Sequence, residues 1–143
     1  ESARYGFILV NFANGDMVGH TAERDAVIAA VETLDREVGR VLGAAVAADY
    51  SVILTADHGN CEEMIDPLSD EPHTQHTVYP VPCLVMDEDT WQLSCVGGLS
   101  NIAPTVLQLM GMEQPEAMTA KSLLLRPLKV HSRLRRSPFR SAA

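Results

Sequence analysis

The chain of 143 residues contains no apolar run near the roughly 18 residues that a membrane-crossing helix needs. It has no basic n-region followed by an apolar h-region of the kind that marks a secretory signal. Cysteine is scarce: Cys61, Cys83 and Cys95 form an odd set without framework spacing. That excludes a disulfide scaffold and predicts a reduced, cytoplasmic setting. No internal repeat is visible. The chain opens on Glu1-Ser2-Ala3-Arg4 rather than on methionine, which reads as the interior of a longer polypeptide. With 46% hydrophobic residues and a mean hydropathy of +0.01, the composition is that of a globular domain with enough apolar side chains for a core.

Charge is unevenly placed. All 19 acidic residues precede position 126, against five basic ones, a balance of −14. From Arg126 onward there are six basic residues and no acidic ones. An acidic body excludes nucleic acid as the main partner. The division expected is a folded part over 1–125 and a basic, disordered tail over 126–143.

Phe7-Ile8-Leu9-Val10 is a short continuous apolar run, the pattern of a strand covered on both faces. Asn11 to Gly19, with two glycines, reads as a loop. Thr21 is placed to cap a helix running to about Ala48. Along it Val27, Ile28, Val31, Leu34, Val38, Val41, Leu42 and Ala45 recur at three- and four-residue steps. Val52-Ile53-Leu54 reads as the next strand. Strand, long helix and strand predict a βαβ unit, with parallel strands and a ligand crevice at their carboxyl ends. A polar connection over 61–80 leads to a strand over Pro82–Met86. A helix capped by Ser100 and stopped by Gly111 follows. The fold class expected is α/β with a mainly parallel sheet.

Against that background five potential ligands fall in three clusters: Asp16 and His20 in NGDMVGH, Asp57 and His58 in TADHGN, and His76 in HTQHT. Carboxylate and imidazole suit borderline divalent ions such as manganese and zinc. Asp57-His58-Gly59 alone is also consistent with an N-cap and turn. The three clusters together, two of them at the ends of the expected strands, predict one metal-centred site. A metal at a sheet edge can act as a Lewis acid, neutralise an anionic substrate or activate an oxygen nucleophile.

The segments FANGDMVGHT, ILTADHGNCEEM, EPHTQHTVYPVP and LSNIAPTVLQLMGMEQPEAMTAKSL closely resemble the carboxyl-terminal part of the cofactor-independent (2,3-bisphosphoglycerate-independent) phosphoglycerate mutases, of the alkaline phosphatase superfamily. The likeness runs from about Phe7 to Leu125. It implies part of a three-layer alkaline-phosphatase-like fold. The implied activity interconverts 3-phosphoglycerate and 2-phosphoglycerate through a phosphoserine and two Mn²⁺ ions, with Mg²⁺ or another divalent ion as a substitute. Carried over by motif, Asp16, His20 and His76 hold the first ion, Asp57 and His58 hold the second, and His73 is a neighbouring or substrate-side residue.

The same resemblance places the serine nucleophile, a further aspartate ligand and the basic substrate-binding residues in amino-terminal segments that are not in these 143 residues. The implied partners are phosphoglycerate and a separate amino-terminal half, with the complete enzyme a monomer. One alternative is a phosphopentomutase-like enzyme of the same superfamily. Another is a non-catalytic partner chain or a gene fragment. The chain departs from the family pattern at Gly15 (usually Pro), Ala22 (Gly), Tyr79 (Asn), Asn101 (Asp) and Ala120 (Gly).

Overall fold

The computed structural model describes residues 4–129, which divide into two compact units. Among the described residues, one unit comprises residues 4–49 and 55–82, the other residues 50–54 and 83–129.

The first unit is built on two helices, α1 (Asn14–Gly19) and α2 (Arg24–Ala47). α1 replaces the loop expected over Asn11–Gly19. Its two glycines weaken helix propensity; a Cβ at Gly15 would meet Leu34 Cδ2 at an ordinary 3.8 Å, whereas one at Gly19 would collide with the Asn60 side chain at 2.1 Å. The inner stripe of α2 runs through the buried Val27 and the half-buried Ala30, Leu34, Val38, Leu42 and Ala45; Ile28, Val31 and Val41, also expected on it, are exposed. Thr21 stands outside the helix rather than capping it. Its hydroxyl donates to Val18 O at 2.6 Å and accepts from Glu23 N at 3.2 Å.

The connection after β1 (Val52–Thr55) is a folded excursion. Asp66 Oδ1 accepts the backbone N–H groups of Leu68 and Ser69 at 2.8 and 3.1 Å, an Asx-type turn that reverses the chain. The returning limb pairs at Ile65 with Pro72 and again at Gly59 with Thr77.

In the second unit β1 pairs with β2 (Cys83–Met86), and β3 (Thr90–Leu93) pairs antiparallel with β4 (Leu124–Lys129). Two register shifts interrupt the second ladder, and Pro127, which cannot donate a ladder hydrogen bond, sits opposite Trp91. A short 3₁₀ turn, Leu99–Asn101, leads into α3 (Ile102–Leu109). Ser100 therefore lies inside that turn; the Asn101 side chain accepts Gly98 N–H instead, at 2.8 Å. The helix ends as expected at Gly111, whose φ of +66° is the left-handed value glycine tolerates, with Met112 N donating to Leu107 O at 2.9 Å.

In place of one mainly parallel sheet, the described strands form two separate pairs, of which β3–β4 is antiparallel. Phe7–Val10 makes no strand, and its side chains are 50–82% exposed. A parallel strand needs hydrogen-bonded neighbours and cover on both faces, which four apolar residues cannot supply for themselves. The expected boundary at 125 falls within β4, so Arg126–Lys129 belong to a strand rather than to a tail. The rest of the basic tail lies outside the described residues. Among the described residues no helix is long and apolar enough to cross a membrane.

Candidate metal centre

The ligand candidates all fall in the first unit, and local structure explains how each arrives. Asp16 is in the first turn of α1 and His20 is its C-cap, so their four-residue spacing is a helical one that puts both on one side. Asp57 and His58 follow β1. The excursion over 61–80 closes at Gly59–Thr77, where Thr77 N donates to Gly59 O at 2.9 Å, and this returns His76 to His58.

Three imidazoles converge on one oxygen. Asp16 Oδ1 lies 2.9 Å from His76 Nε2, 3.1 Å from His20 Nε2 and 3.8 Å from His58 Nε2. The ring of His58 stacks on His76 with centroids 3.7 Å apart. One ligand atom each from Asp16, His58 and His76 falls within a common 4.8 Å. Asp57 stands at the rim: its carboxylate is 71% exposed, with Oδ1 3.7 Å from His58 Nε2. His73 is not in the convergent group. Its Nδ1 is buried without a hydrogen-bond partner, and the ring lies near Glu62 and Asp66.

Hydrogen bonds fix which ring nitrogens face the centre. His20 Nδ1 is 2.7 Å from Thr74 O, and His58 Nδ1 is 3.2 Å from Gly59 O. A carbonyl only accepts, so both Nδ1 atoms carry the hydrogen, and in the neutral rings both Nε2 atoms present a lone pair. His20 Nε2 and His76 Nε2 are 3.2 Å apart. With a lone pair on His20 Nε2, the gap is bridged either by a hydrogen on His76 Nε2 or by a cation that accepts both lone pairs.

The spacing fits a cation. Metal–ligand bonds of about 2.0–2.2 Å in tetrahedral array put neighbouring donors roughly 3.3–3.6 Å apart. The observed donor separations of 2.9, 3.1, 3.2 and 3.8 Å lie just outside that range, three shorter and one longer, so small side-chain shifts bring the group to it. Backbone carbonyls that orient ligating imidazoles through the far ring nitrogen are the usual support of such sites. Desolvation works to raise the Asp16 carboxyl, but the Asn60 amide and the histidines His20, His76 and His58 outweigh it and hold it below the usual carboxylate range.

Residues that sequence reasoning passed over do the bracing. Asn60, 7% exposed, donates its side-chain amide to Asp16 Oδ1 at 3.0 Å. Glu62 Oε2 accepts Asn60 N–H at 2.8 Å while Oε1 accepts the Thr77 hydroxyl. Desolvation works to raise Glu62, but these hydrogen bonds together with nearby His73 outweigh it and hold the carboxyl below its usual range. Cys61 Sγ donates to Gly15 O at 3.0 Å; burial and the charges of Glu62 and Asp16 push its thiol up, away from the reactive thiolate. All of these stand inside or beside the GNCEE segment, but the contact from Asn60 to Asp16 spans 44 residues and has no local signature.

The chain matches known proteins over most of its length. Residues 1–114 fit the model of the metalloenzyme superfamily. The 2,3-bisphosphoglycerate-independent phosphoglycerate mutase of Rhodopirellula baltica is 52% identical over 126 residues, covering 87% of this chain and 23% of the relative. That of Psychrobacter arcticus is 50% identical over 125 residues, with the same coverage of each. A crystal structure of Leishmania mexicana phosphoglycerate mutase at low cobalt concentration superposes with a TM-score of 0.70 at 32% identity, over 80% of this chain and 24% of that one. The chain thus spans about a quarter of the length of the relatives it matches. A convergent carboxylate–imidazole cluster and a family model covering most of the sequence agree: the chain belongs to the metalloenzyme superfamily.

Proposed function

We propose that this chain is the metal-holding part of a cytoplasmic phosphoglycerate mutase, an isomerase of glycolysis and gluconeogenesis that interconverts 3-phosphoglycerate and 2-phosphoglycerate through a phosphoserine. The observation that carries this reading is the convergence of His20, His58 and His76 on Asp16 Oδ1, in a sequence about half identical to such mutases. Asp16, His20 and His76 hold one ion and Asp57 with His58 contributes to a second, with Mn²⁺ the preferred metal and Mg²⁺ a substitute. When bound, the ions supply positive charge for the transferring phosphoryl group and the serine oxygen.

The chain's own residues orient that chemistry. Thr74 O and Gly59 O hold His20 and His58 with Nε2 inward. The rim position of Asp57, open to solvent, suits a ligand shared with residues from elsewhere. His73 is, in this reading, a neighbouring or substrate-side residue. The serine nucleophile and the remaining ligands of the second ion belong to a segment outside these 143 residues, so the complete site needs more polypeptide than this chain, within one monomeric enzyme.

Calorimetric titration with Mn²⁺ and an assay with 3-phosphoglycerate test this. The 143-residue chain is expected to bind one ion weakly and to show no turnover. A longer polypeptide containing it is expected to interconvert the two phosphoglycerates. Two tight sites, or mutase activity from the 143-residue chain alone, would refute the incomplete-site reading. No Mn²⁺ binding at all would refute the metal assignment.

A further inference from the structure

Asp16 is the point on which the three imidazoles converge, yet its own side chain is 39% exposed and starts from a helix of six residues. A carboxylate so placed has open rotamers toward water, and something must select the inward one. Asn60 does this. Its Nδ2 reaches Asp16 Oδ1 at 3.0 Å and also approaches Asp16 O at 3.5 Å, so both the side chain and the backbone of the ligand are held from one amide. A carboxylate oxygen has two lone-pair directions. Asn60 occupies one and leaves the other for a cation.

The surroundings are shaped for that amide. Gly19 lies against it so closely that a Cβ there would sit 2.1 Å from Asn60 Oδ1 and 2.7 Å from Cγ. Asn60 itself is fixed through its backbone by Glu62, whose other oxygen takes the Thr77 hydroxyl. A Cβ on Gly59 would meet the same carboxylate at 2.1 Å. The residue type matters as well. A neutral amide can donate to a ligand carboxylate without bringing positive charge against the ion, which Lys or Arg would do.

We infer that Asn60 is a positioning residue for the metal centre: it selects the ligating rotamer of Asp16 from a slot that exists because residue 19 is glycine. This rests on the metal reading above. Partners that orient a ligand typically contribute 10–100-fold in metal affinity, so the full 143-residue chain carrying Asn60→Leu, which keeps the buried volume and loses the donor, should bind Mn²⁺ about 10–100-fold more weakly.

Gly19→Ala should weaken binding comparably by displacing the amide. On an Asn60→Ala background that second substitution should have almost no further effect, because the clash has gone; residues in direct contact couple in this way. Circular dichroism without metal reports whether each variant folds, and the Gly19→Ala pair keeps the test open if Asn60→Leu does not fold. Wild-type chain that binds no Mn²⁺ removes the metal reading and this inference with it. Wild-type binding with Asn60→Leu unchanged, or an equal loss from Gly19→Ala on both backgrounds, overturns this inference alone.

Discussion

Replacing Thr105 by valine isolates one buried hydrogen-bond junction in the second unit. Thr105 is the one fully buried large side chain among the described residues, at 0% exposure. Its hydroxyl donates to Asn101 O at 2.6 Å and accepts Leu123 N–H at 2.9 Å, tying α3 to the residue just before β4. Valine keeps the shape and removes both bonds. The N–H of Leu123, itself only 7% exposed, is then left without its acceptor, which costs about 1–3 kcal/mol. Losing the bond to Asn101 O adds about 0.5–1.5 kcal/mol. The expected loss is therefore about 1.5–4.5 kcal/mol.

Thr105→Ser is the contrast. It keeps the hydroxyl and gives up one methyl, at about 1 kcal/mol. In urea, with a slope of about 1–3 kcal/mol per molar for a chain of this size, Thr105→Val should lower the midpoint by roughly 1–2 M, and Thr105→Ser by less than half of that. Mn²⁺ affinity should be unchanged in both, since every ligand candidate is in the other unit. A valine variant as stable as wild type, or a serine variant less stable than the valine one, would refute the reasoning.

Two other substitutions probe the first unit. Ala22, where the mutases usually have glycine, has φ of +50°, a left-handed conformation that costs an alanine about 1 kcal/mol. Ala22→Gly should therefore raise the melting temperature by a few degrees; a lower one would show that the turn is not strained. Leu9 is 82% exposed in an apolar run with Phe7, Ile8 and Val10. The chain should self-associate in size-exclusion chromatography as its concentration rises, and Leu9→Lys should shift it toward monomer. A wild-type chain that stays monodisperse and monomeric throughout would count against that reading.

What the sequence made legible was periodic or punctuated. The stripe of α2 was readable because a long helix repeats its signal, and Gly111 because a left-handed stop nearly demands glycine. The convergence of Asp16, His58 and His76 was approachable from sequence because the side chains that can hold a metal are few. Phe7–Val10 misled because an apolar run records a wish for cover, and cover is supplied by other residues. α1 was missed because its glycines lower local propensity, and the need for glycine at 19 comes from the distant Asn60 side chain. β4 was hidden by Pro127 and by the basic composition around it, and its pairing with β3 is a tertiary event. Asn60 escaped for the same reason: nothing within a few residues of it points to Asp16.

The cluster also has an order of assembly written into it. Asp16 and His20 belong to one short helix and meet as soon as it forms. His76 is 56 residues beyond His20, and closing a flexible loop of that length costs about 3–4 kcal/mol of chain entropy. α2 turns much of that loop into a rod, which shortens the search, but the excursion over 61–80 must still fold before the last imidazole arrives. An ion meeting the nascent chain therefore finds a helix-borne pair first and its full cage last. On the proposed metal reading, the full cage is available only after that excursion has folded, so capture should follow the completion of this unit rather than start it.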